Sequence, residues 1–338
     1  LRRQRQMCIR DRPEAGHASA LAPIAVGAHL CTSMSKVAAR VVHYGANDPQ
    51  TYRGGVESFA RNLGLIFDEV SFMFPGNLDV DKVRREKLMV VCDNHWVTDW
   101  PTDIPVIGFQ HGVAAVKSSI TGNRTGRKMA KRQAKAAKRD NTIWVACAQW
   151  IATTFDALSG NGAEHVIYHQ VDLERFDGKR ANTDPKLVLH DARGAHKGES
   201  EVVGLTRRFP DWKLEPLACE PSEVPDRMRK AAAFLHLSKY EGNSIVINEA
   251  LAMDLPCFVT KVGLMKDEAR PRDVHIVDPE QAFTDADYLD REFAAFLRSL
   301  SSREYAPREW TLANAHLDVV RDKWRAVTEQ WRAAWPGA

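Results

Sequence analysis

The run from Phe234 to Gly263, FLHLSKYEGNSIVINEALAMDLPCFVTKVG, carries the pattern that decides the fold. Its apolar start, FLHL, predicts a buried strand, and the loop SKYEGNS leads into a predicted helix, IVINEALAM. The apolar run PCFVT predicts a second buried strand after that helix. Two buried strands joined by a helix are typical of parallel sheets, because parallel neighbours need a crossover connection. This run therefore predicts an α/β fold.

The same alternation of apolar runs and helical segments extends through most of the chain. The first half begins with the predicted strand VAARVVHYG at residues 37–45, followed by a glycine-containing loop and the helix-like segment VESFARNLGLIF. The polar segment DGKRANTDP at residues 177–185 predicts a linker, and a second alternating set begins at KLVLH. We therefore expect two α/β domains of similar size, each built on a parallel sheet.

The composition excludes several classes of protein. The chain has 338 residues, 44% of them hydrophobic and 27% charged, which is the ordinary globular mixture. Its apolar runs are shorter than the roughly 18 residues that a membrane-spanning helix needs. The six cysteines are scattered without a C-x-x-C pair, which argues against a zinc site or a redox motif. We therefore expect a cytoplasmic protein in a reducing compartment.

Two segments carry an excess of positive charge. Residues 1–33 hold five arginines against two acidic residues, and LRRQRQMCIRDR lacks the apolar core of a targeting peptide. It resembles translated adaptor sequence, so we expect residues 1–33 to be an artefactual or disordered tail and the native protein to begin at Met34. The second segment, residues 124–139, has eight basic residues and no acidic residue. The charge of the chain is therefore strongly segregated.

Ligands of open parallel sheets bind outside the carboxyl ends of the strands, so the loops after strands are the candidate sites. Gly54 and Gly55 precede a predicted helix; they could bring bare backbone to a phosphate or form an ordinary tight turn. His111 follows the run IPVIGF and could donate or accept a proton near neutral pH, although a lone histidine is usually structural. The residues alone leave both alternatives open.

Two further loops carry charged residues. Arg193 and Lys197 follow KLVLH and could bind a phosphate, although basic loop residues are commonly just solvated. Glu241 lies in the loop after FLHL, where the start of the next helix could hold an anion, and Glu249 lies within that helix. A capped helix with two surface carboxylates is the alternative.

Phe234–Gly263 resembles the paired-glutamate signature of the retaining glycosyltransferases of family 4, with Glu241 and Glu249 as the pair. Three further segments resemble motifs of that family in the right order, and the resemblance covers most of the chain from Met34. They are GGVESFARNL at 54–63, similar to the first glycine loop, VACAQWIATTF at 145–155, similar to the interdomain helix region, and VIYHQVDLERF at 166–176, similar to the segment leading into the second domain.

The resemblance implies the GT-B fold, in which two Rossmann-like domains have parallel sheets that face each other across a cleft. Residues 34–178 would form the acceptor domain and residues 179–310 the nucleotide-sugar donor domain. Residues 311–338 would form a C-terminal helix that packs back toward the N-terminal domain.

The resemblance also implies a reaction. A glycosyl group would pass from a nucleoside-diphosphate sugar of UDP or GDP type to the hydroxyl of a saccharide or lipid-linked acceptor, with retention of configuration and without a metal or other cofactor. The setting would be the synthesis of cell-envelope polysaccharide, lipopolysaccharide or glycolipid. Glu241 and His111 would be catalytic, with His111 facing the acceptor or the transferred sugar. The implied donor contacts are Gly54, Gly55, Arg193, Lys197 on the diphosphate, Asn243, Ser244, Ile245, and Glu249 on the ribose.

One departure from the family pattern bears on the diphosphate site. The family has an arginine where this chain has Asp191, so either Arg193 takes its place or the site lacks one cation. Two alternatives to a transferase therefore stay open: a nucleotide-sugar epimerase of the same fold, and a pseudoenzyme that binds a nucleotide sugar or a membrane without catalysis.

The basic segment predicts a helix with one charged face. Such a face could adsorb to an anionic membrane on the inner side of the cytoplasmic membrane, hold an anionic acceptor, or simply be solvated. Nucleic-acid binding is not expected, because no interleaved aromatic residues accompany the charges. Alanines at 130, 134 and 137 are expected on the opposite face. The residues of the charged face are Arg124, Arg127, Lys128, Lys131, Lys135 and Lys138.

Overall fold

The computed structural model of this protein describes residues 35–336, except Arg53 and Asn123. The tail expected at residues 1–33 and the expected start of the native protein at Met34 lie outside the described residues. Within the described range the chain forms two parallel sheets, each flanked by helices.

The N-terminal half is built on the first sheet. Its strands are β1 (Val37–Tyr44), β2 (Phe67–Met73), β3 (Met89–Asp93), β4 (Val106–Gln110), β5 (Thr142–Ala146) and β6 (His165–Val166). They are all parallel and lie in the order β2-β1-β3-β4-β5-β6. The helices of this half are α1 (Gly55–Asn62), α2 (Val80–Glu86), α3 (Ala114–Thr121), α4 (Arg124–Ala136) and α5 (Gln149–Ser159).

The C-terminal half is built on the second sheet. Its strands are β7 (Asp184–His190), β8 (Lys213–Pro216), β9 (Ala231–His236), β10 (Cys257–Thr260) and β11 (His275–Val277), all parallel and in the order β11-β10-β9-β7-β8. The helices are α6 (Glu199–Arg208), α7 (Val224–Lys230), α8 (Ile245–Ala252), α9 (Pro279–Thr284), α10 (Ala286–Ser299), α11 (Arg308–Asn314) and α12 (Leu317–Ala334). The predicted α/β class with parallel sheets is confirmed.

Local sequence explains where several helices begin. Asp79, Asp278 and Asp285 each accept a hydrogen bond from a backbone N–H in the first turn of α2, α9 and α10, respectively. An aspartate in this position satisfies one of the N–H groups that have no partner within the helix. The strands β3, β4 and β9 are buried along their whole length, which explains their continuous apolar runs.

Each sheet has a switch point, where the order of the strands reverses. In the first sheet it lies between β1 and β3, and in the second between β7 and β9. Loops that leave the carboxyl ends of the strands diverge at such a point and open a crevice. The fold therefore places the ends of β1, β3, β7 and β9 where a ligand would bind.

The last helix, α12, packs against the first sheet, where it contacts β1 and β5. Trp324 is fully buried between Phe67 and Phe109, and Trp331 donates its indole N–H to Pro105 O. Truncating a buried tryptophan of this kind costs about 3–5 kcal/mol. The C-terminal end of the chain therefore stabilises the N-terminal half.

Candidate active site between the two sheets

Two loops, one from each half of the chain, touch at the carboxyl ends of the strands. The Tyr240 hydroxyl accepts a hydrogen bond from Val113 N (2.7 Å) and lies 3.2 Å from Val113 O, to which it donates. A Cβ at Gly242 would overlap the carbonyl oxygen of His111, so only glycine allows this approach. The contact brings together the loops that carry His111 and Glu241, the two predicted catalytic residues.

The start of α5 forms a second connection between the halves. Asp267, from the C-terminal half, accepts hydrogen bonds from Gln149 N and Trp150 N (both 2.8 Å) and from the Tyr168 hydroxyl (3.1 Å). Burial raises the pKa of Asp267, and these donors partly oppose the rise. Trp150 also donates its indole N–H to Gly242 O (2.9 Å). The loop after β9 is thus fixed against the N-terminal half.

At the switch point of the first sheet, one buried carboxylate holds two histidines. Asp93 Oδ1 lies 2.9 Å from His43 Nε2 and 2.8 Å from His111 Nε2. Burial alone would raise the pKa of Asp93, but the two imidazoles and their hydrogen bonds hold it below its ordinary value. A Cβ at Gly45 would overlap Asp93 Oδ2, so glycine makes room for the carboxylate. Asp93 therefore fixes the orientation of the His111 ring.

Aromatic rings surround the same histidine. His169 stacks on His111 with ring centroids 5.6 Å apart, and Phe59 and Phe109 complete the cluster. Burial lowers the pKa of His169 well below its ordinary value, aided by the nearby His111. The His169 ring therefore stays neutral. The His111 ring lies between the Asp93 carboxylate and the rings of Phe59, Phe109 and His169.

At the switch point of the second sheet, two carboxylates share one lysine. Lys197 Nζ lies 2.8 Å from Glu241 Oε1 and 3.2 Å from Asp191 Oδ2, and His236 Nδ1 lies 2.6 Å from Asp191 Oδ1. Burial disfavours the charge on Lys197, but the two carboxylates outweigh it and raise the pKa of the ammonium. Lys197 is therefore a cation at the mouth of the second sheet.

The second predicted cation lies elsewhere. Arg193 is exposed in the turn after β7, and its side chain makes no hydrogen bond or ion pair with any described residue. The position that is arginine in the resembled family is Asp191, which is buried beside Lys197. In the conformation described, Arg193 is not part of the Lys197 cluster.

The predicted donor residues of the loop before α8 are placed at the start of that helix. Ser244 is its N-cap and makes no side-chain capping hydrogen bond, so the first N–H groups of the helix, beginning at Ile245, have no side-chain cap. The Asn243 side chain turns inward, where its amide donates to Cys147 O (2.9 Å). Only the backbone of Asn243 is therefore available for the predicted role.

Glu249 lies further along α8 and is half-buried. Burial raises its pKa to about 7, and the nearby Arg175 only partly opposes this rise. Its carboxyl therefore keeps its proton to higher pH than that of an exposed glutamate. It is separate from the Lys197 cluster, as expected for a residue that would contact a different part of a ligand.

The predicted glycine loop begins α1, which packs next to α8. Gly54 is the N-cap and has no side-chain capping bond, and a Cβ at Gly55 would meet nothing within 4 Å. The Glu57 carboxylate folds back over Gly54 and accepts a hydrogen bond from Asn47 Nδ2 (3.0 Å). A phosphate at Gly54 would therefore have to displace the carboxylate of Glu57.

The basic segment forms α4 and the turn after it, which contains Lys138. Gln133 is buried on the packed side; its side chain donates to Gly112 O (2.8 Å) and accepts from Ala114 N (2.9 Å). Of the alanines expected on the face opposite the charges, Ala137 is buried, Ala130 is half-buried and Ala134 is exposed. Helix α4 therefore forms a wall behind the His111 loop.

The charged side of α4 faces solvent. Arg124 is the first residue of the helix. The other predicted residues are exposed and form no ion pair with any described residue: Arg127, Lys128, Lys131, Lys135 and Lys138. Ile120 and Met129, on α3 and α4, are also exposed, at 43% and 39%. The pair of helices thus presents both positive charge and apolar side chains.

Among the described residues, no group of three or more His, Cys, Asp or Glu side chains is arranged to hold a metal ion. Within the same part of the chain, every helix is too short or too polar to cross a membrane.

Comparison with known proteins identifies the fold. No protein-family model and no curated protein matches the chain in sequence. Among solved structures, sucrose-phosphate synthase (tll1590) from Thermosynechococcus elongatus superposes with a TM-score of 0.66 at 14% identity, over 87% of this chain and 100% of that chain. Anabaena Alr3699/HepE in complex with UDP superposes with a TM-score of 0.60 at 13% identity, over 86% and 100%. The chain has the GT-B fold. A third structure, α,α-trehalose 6-phosphate synthase from Burkholderia multivorans, agrees, with a TM-score of 0.58 at 12% identity over 88% and 99%.

In this GT-B fold, only some of the predicted residues lie at the contact between the two halves. His111, Lys197, Glu241 and the start of α8 lie around the contact between the halves, whereas Arg193 and the α4 side chains point to solvent. The sequence reasoning missed three histidines and one aspartate of the two clusters. A usable signal was present, since each is a polar residue at or near the end of an otherwise apolar run: His43, Asp93, His169 and His236.

Proposed function

We propose that this protein is a glycosyltransferase that moves a sugar from a nucleoside-diphosphate donor to an acceptor hydroxyl. One observation carries the proposal. The loop with His111 and the loop with Glu241 meet through Tyr240 and Gly242, so the contact brings a polar cluster from each switch point to the same place. In a GT-B fold this arrangement gives a donor side and an acceptor side.

The donor side is the C-terminal half. The α8 N-terminus and the ammonium of Lys197 are positive groups at the mouth of the second sheet, and they would stabilise the diphosphate as it leaves. Glu241 would accept hydrogen bonds from the hydroxyls of the donor sugar, and Glu249 from those of the ribose. Gly54 and Gly55, at the start of α1, would approach the phosphates from the other half. We propose that the reaction needs no metal, because these groups supply the positive potential.

The acceptor side is the N-terminal half. His111, held by Asp93 and stacked against His169, would face the transferred sugar or the acceptor hydroxyl. We propose retention of configuration, because Phe234–Gly263 resembles the signature of retaining family 4 enzymes. A UDP-type donor is supported by HepE, a structural neighbour that was solved with UDP and with UDP-glucose.

The donor proposal is tested by thermal shift and by product release. UDP, GDP, ADP and their sugar conjugates are added to the protein; a ligand at one hundred times its dissociation constant adds about 2.7 kcal/mol of stability. We expect one nucleotide to stabilise the wild type and to have a much smaller effect on Lys197→Ala. Release of nucleoside diphosphate that requires an acceptor would support transfer, whereas the absence of any stabilising nucleotide would refute the proposal.

We further propose that the acceptor is an anionic or lipid-linked saccharide of the cell envelope and that α4 docks the protein on the inner face of the cytoplasmic membrane. Each basic residue near an anionic membrane contributes about 1 kcal/mol, and Met129 and Ile120 add apolar contact. Flotation with anionic vesicles at low salt should recover the wild type but not Lys128→Glu/Lys131→Glu. Arg207→Glu/Lys230→Glu, on exposed sites of the other half, is the matched control. Equal recovery with neutral and anionic vesicles would refute docking.

A further inference from the structure

The N-cap residue of helix α5, Ala148, has no side-chain group that could cap the helix. At this position a serine, threonine, asparagine or aspartate usually accepts a hydrogen bond from the first turn. Asp267 of the C-terminal half does so instead: its Oδ2 accepts from Gln149 N and its Oδ1 from Trp150 N, both at 2.8 Å. A carboxylate is also the charge that the N-terminus of a helix favours. One half of the chain therefore caps a helix of the other half.

The Asp267 side chain takes its hydrogen bonds from the N-terminal half alone. It is buried, and its third donor, the Tyr168 hydroxyl at 3.1 Å, also belongs to that half. No described residue of the C-terminal half donates a hydrogen bond to this carboxylate. If the halves moved apart, the carboxylate would lose all three donors and α5 would lose its cap at the same time.

On the N-terminal side, the start of α5 is connected to the His111 loop. Cys147 N, two residues before α5, donates to Gln110 O at 3.1 Å, and Gln110 directly precedes His111. The strands that end there, β4 and β5, are paired neighbours in the first sheet. The start of α5 therefore has a fixed position relative to His111.

On the C-terminal side, Asp267 is connected to the Glu241 loop. It directly follows a single helical turn that starts at Gly263. Gly263 has a positive φ of 57°, and a Cβ there would lie 2.8 Å from Glu241 Cβ and 2.9 Å from Gly242 O, so only glycine allows this packing. A shift of Asp267 relative to α5 would therefore move Glu241 relative to His111.

We propose that Asp267 is a positioning residue for the transfer reaction: by capping α5 from the other half, it sets the distance between Glu241 on the donor side and His111 on the acceptor side. This inference rests on the proposed function, which assigns the reacting groups to those two loops. The alternative is that Asp267 only stabilises α5, as Asp285 stabilises α10 within the C-terminal half. A cap supplied from within the N-terminal half separates the two roles, because it could replace the second role but not the first.

The test is a rescue experiment on the full chain, with kcat measured as release of UDP from UDP-glucose, or of the diphosphate from the conjugate that thermal shift selects. Asp267→Ala removes both the cap and the connection between the halves, whereas Asp267→Ala/Ala148→Ser restores only a cap. We expect Asp267→Ala to lower the melting temperature and to lower kcat about 100-fold, the loss that a misplacement of about 1 Å can cause. In the double variant the melting temperature should recover while kcat stays low. UDP affinity in calorimetry should fall far less than kcat, because Lys197 and α8 both belong to the C-terminal half.

Asp285→Ala is the matched control, because Asp285 accepts from Tyr288 N (2.9 Å) and caps a helix of its own half. It should lower the melting temperature without changing kcat. A second measurement needs no substrate: in small-angle X-ray scattering, Asp267→Ala and the double variant should have a larger radius of gyration than the wild type, and Asp285→Ala should not. If Asp267→Ala does not fold, Asp267→Asn, which keeps one acceptor oxygen, replaces it with the same expected outcomes.

Recovery of kcat together with the melting temperature in the double variant, or wild-type kcat in Asp267→Ala, would overturn the inference and leave the transferase proposal standing. If the serine does not restore stability, the scattering decides: a wild-type radius of gyration for the Asp267 variant would overturn the inference as well. Failure of the wild type to bind UDP, GDP or ADP, or to release the diphosphate, would overturn the proposed function and this inference together.

Discussion

Replacing Glu249 with glutamine should make the folded protein more stable at alkaline pH. Glu249 is half-buried on α8, and burial raises its pKa from 4.5 to about 7. The folded state therefore holds this proton more tightly than the unfolded state, and the wild type loses stability as pH rises from about 4.5 to about 7. Glutamine carries no charge at any of these pH values, so the variant should not show this loss.

The magnitude follows from the two pKa values. A change from 4.5 to about 7 corresponds to about 3 kcal/mol, at about 1.4 kcal/mol for each pH unit. For a folded region of this length, about 3 kcal/mol corresponds to about 5 °C in melting temperature. The advantage of Glu249→Gln over the wild type should therefore be small at pH 4.5, grow through pH 6 and level off near 5 °C above pH 7.5.

Thermal melts of both proteins at half-unit steps from pH 4.5 to pH 8.5 measure this difference. Glu309→Gln, on the exposed side of α11, controls for the loss of a surface carboxylate in the same half. UDP added in excess should reduce this advantage above pH 7, because the ribose hydroxyls would donate stronger hydrogen bonds to the carboxylate than to the amide oxygen. A difference between variant and wild type that is constant across the pH range would refute the reasoning.

Three further substitutions test the contact between the loops and the histidine that they position. Gly242→Ala should push the loop away from His111, lower the melting temperature and weaken nucleotide binding in thermal-shift titrations. Tyr240→Phe leaves Val113 N–H without its partner and should lower the free energy of unfolding by about 1–3 kcal/mol in urea titrations. Asp93→Asn removes a charge-assisted hydrogen bond and should lower kcat about 10- to 100-fold, equivalent to about 1.5–3 kcal/mol, with UDP binding unchanged in calorimetry.

Each of these substitutions has a matched control in this chain. A Cβ at Gly64 would meet nothing within 4 Å, so Gly64→Ala reports the general effect of replacing a glycine. Tyr52 is 57% exposed, and Tyr52→Phe should leave the free energy of unfolding unchanged. Asp211 is exposed outside the cleft, so Asp211→Asn should leave kcat unchanged. An Asp93→Asn enzyme with wild-type kcat would show that Asp93 does not position His111 for the reaction.

The fold could be predicted from the sequence because its signals are local. The run from Phe234 to Gly263 contains two strands and their crossover helix within 30 residues. Burial on both faces makes β9 apolar up to its last residue, His236, and the turn residues between strand and helix are polar. The same local pattern recurs along the chain, so the α/β class and the parallel sheets followed from it.

The site was only partly predictable because its contacts are not local. His43 and Asp93 are 50 positions apart, and Asp191 and His236 are 45 apart. No spacing rule links such residues; the parallel pairing across each switch point does. Arg193 is the reverse case, because it is close to Lys197 in sequence but lies outside the Lys197 cluster in space.

Each of the two switch points has an aspartate–histidine pair, and the two pairs have different surroundings. Each has a buried aspartate at or just after the end of one strand and a histidine on the neighbouring strand: Asp93 on β3 with His43 on β1, and Asp191 directly after β7 with His236 on β9. In the first sheet the aspartate binds a second histidine among aromatic rings, a surface that suits a sugar ring. In the second sheet it binds a lysine next to an uncapped helix, a surface that suits a phosphate. A reaction that separates a sugar from a diphosphate needs one surface of each kind, and the contact of the two loops brings these two surfaces together.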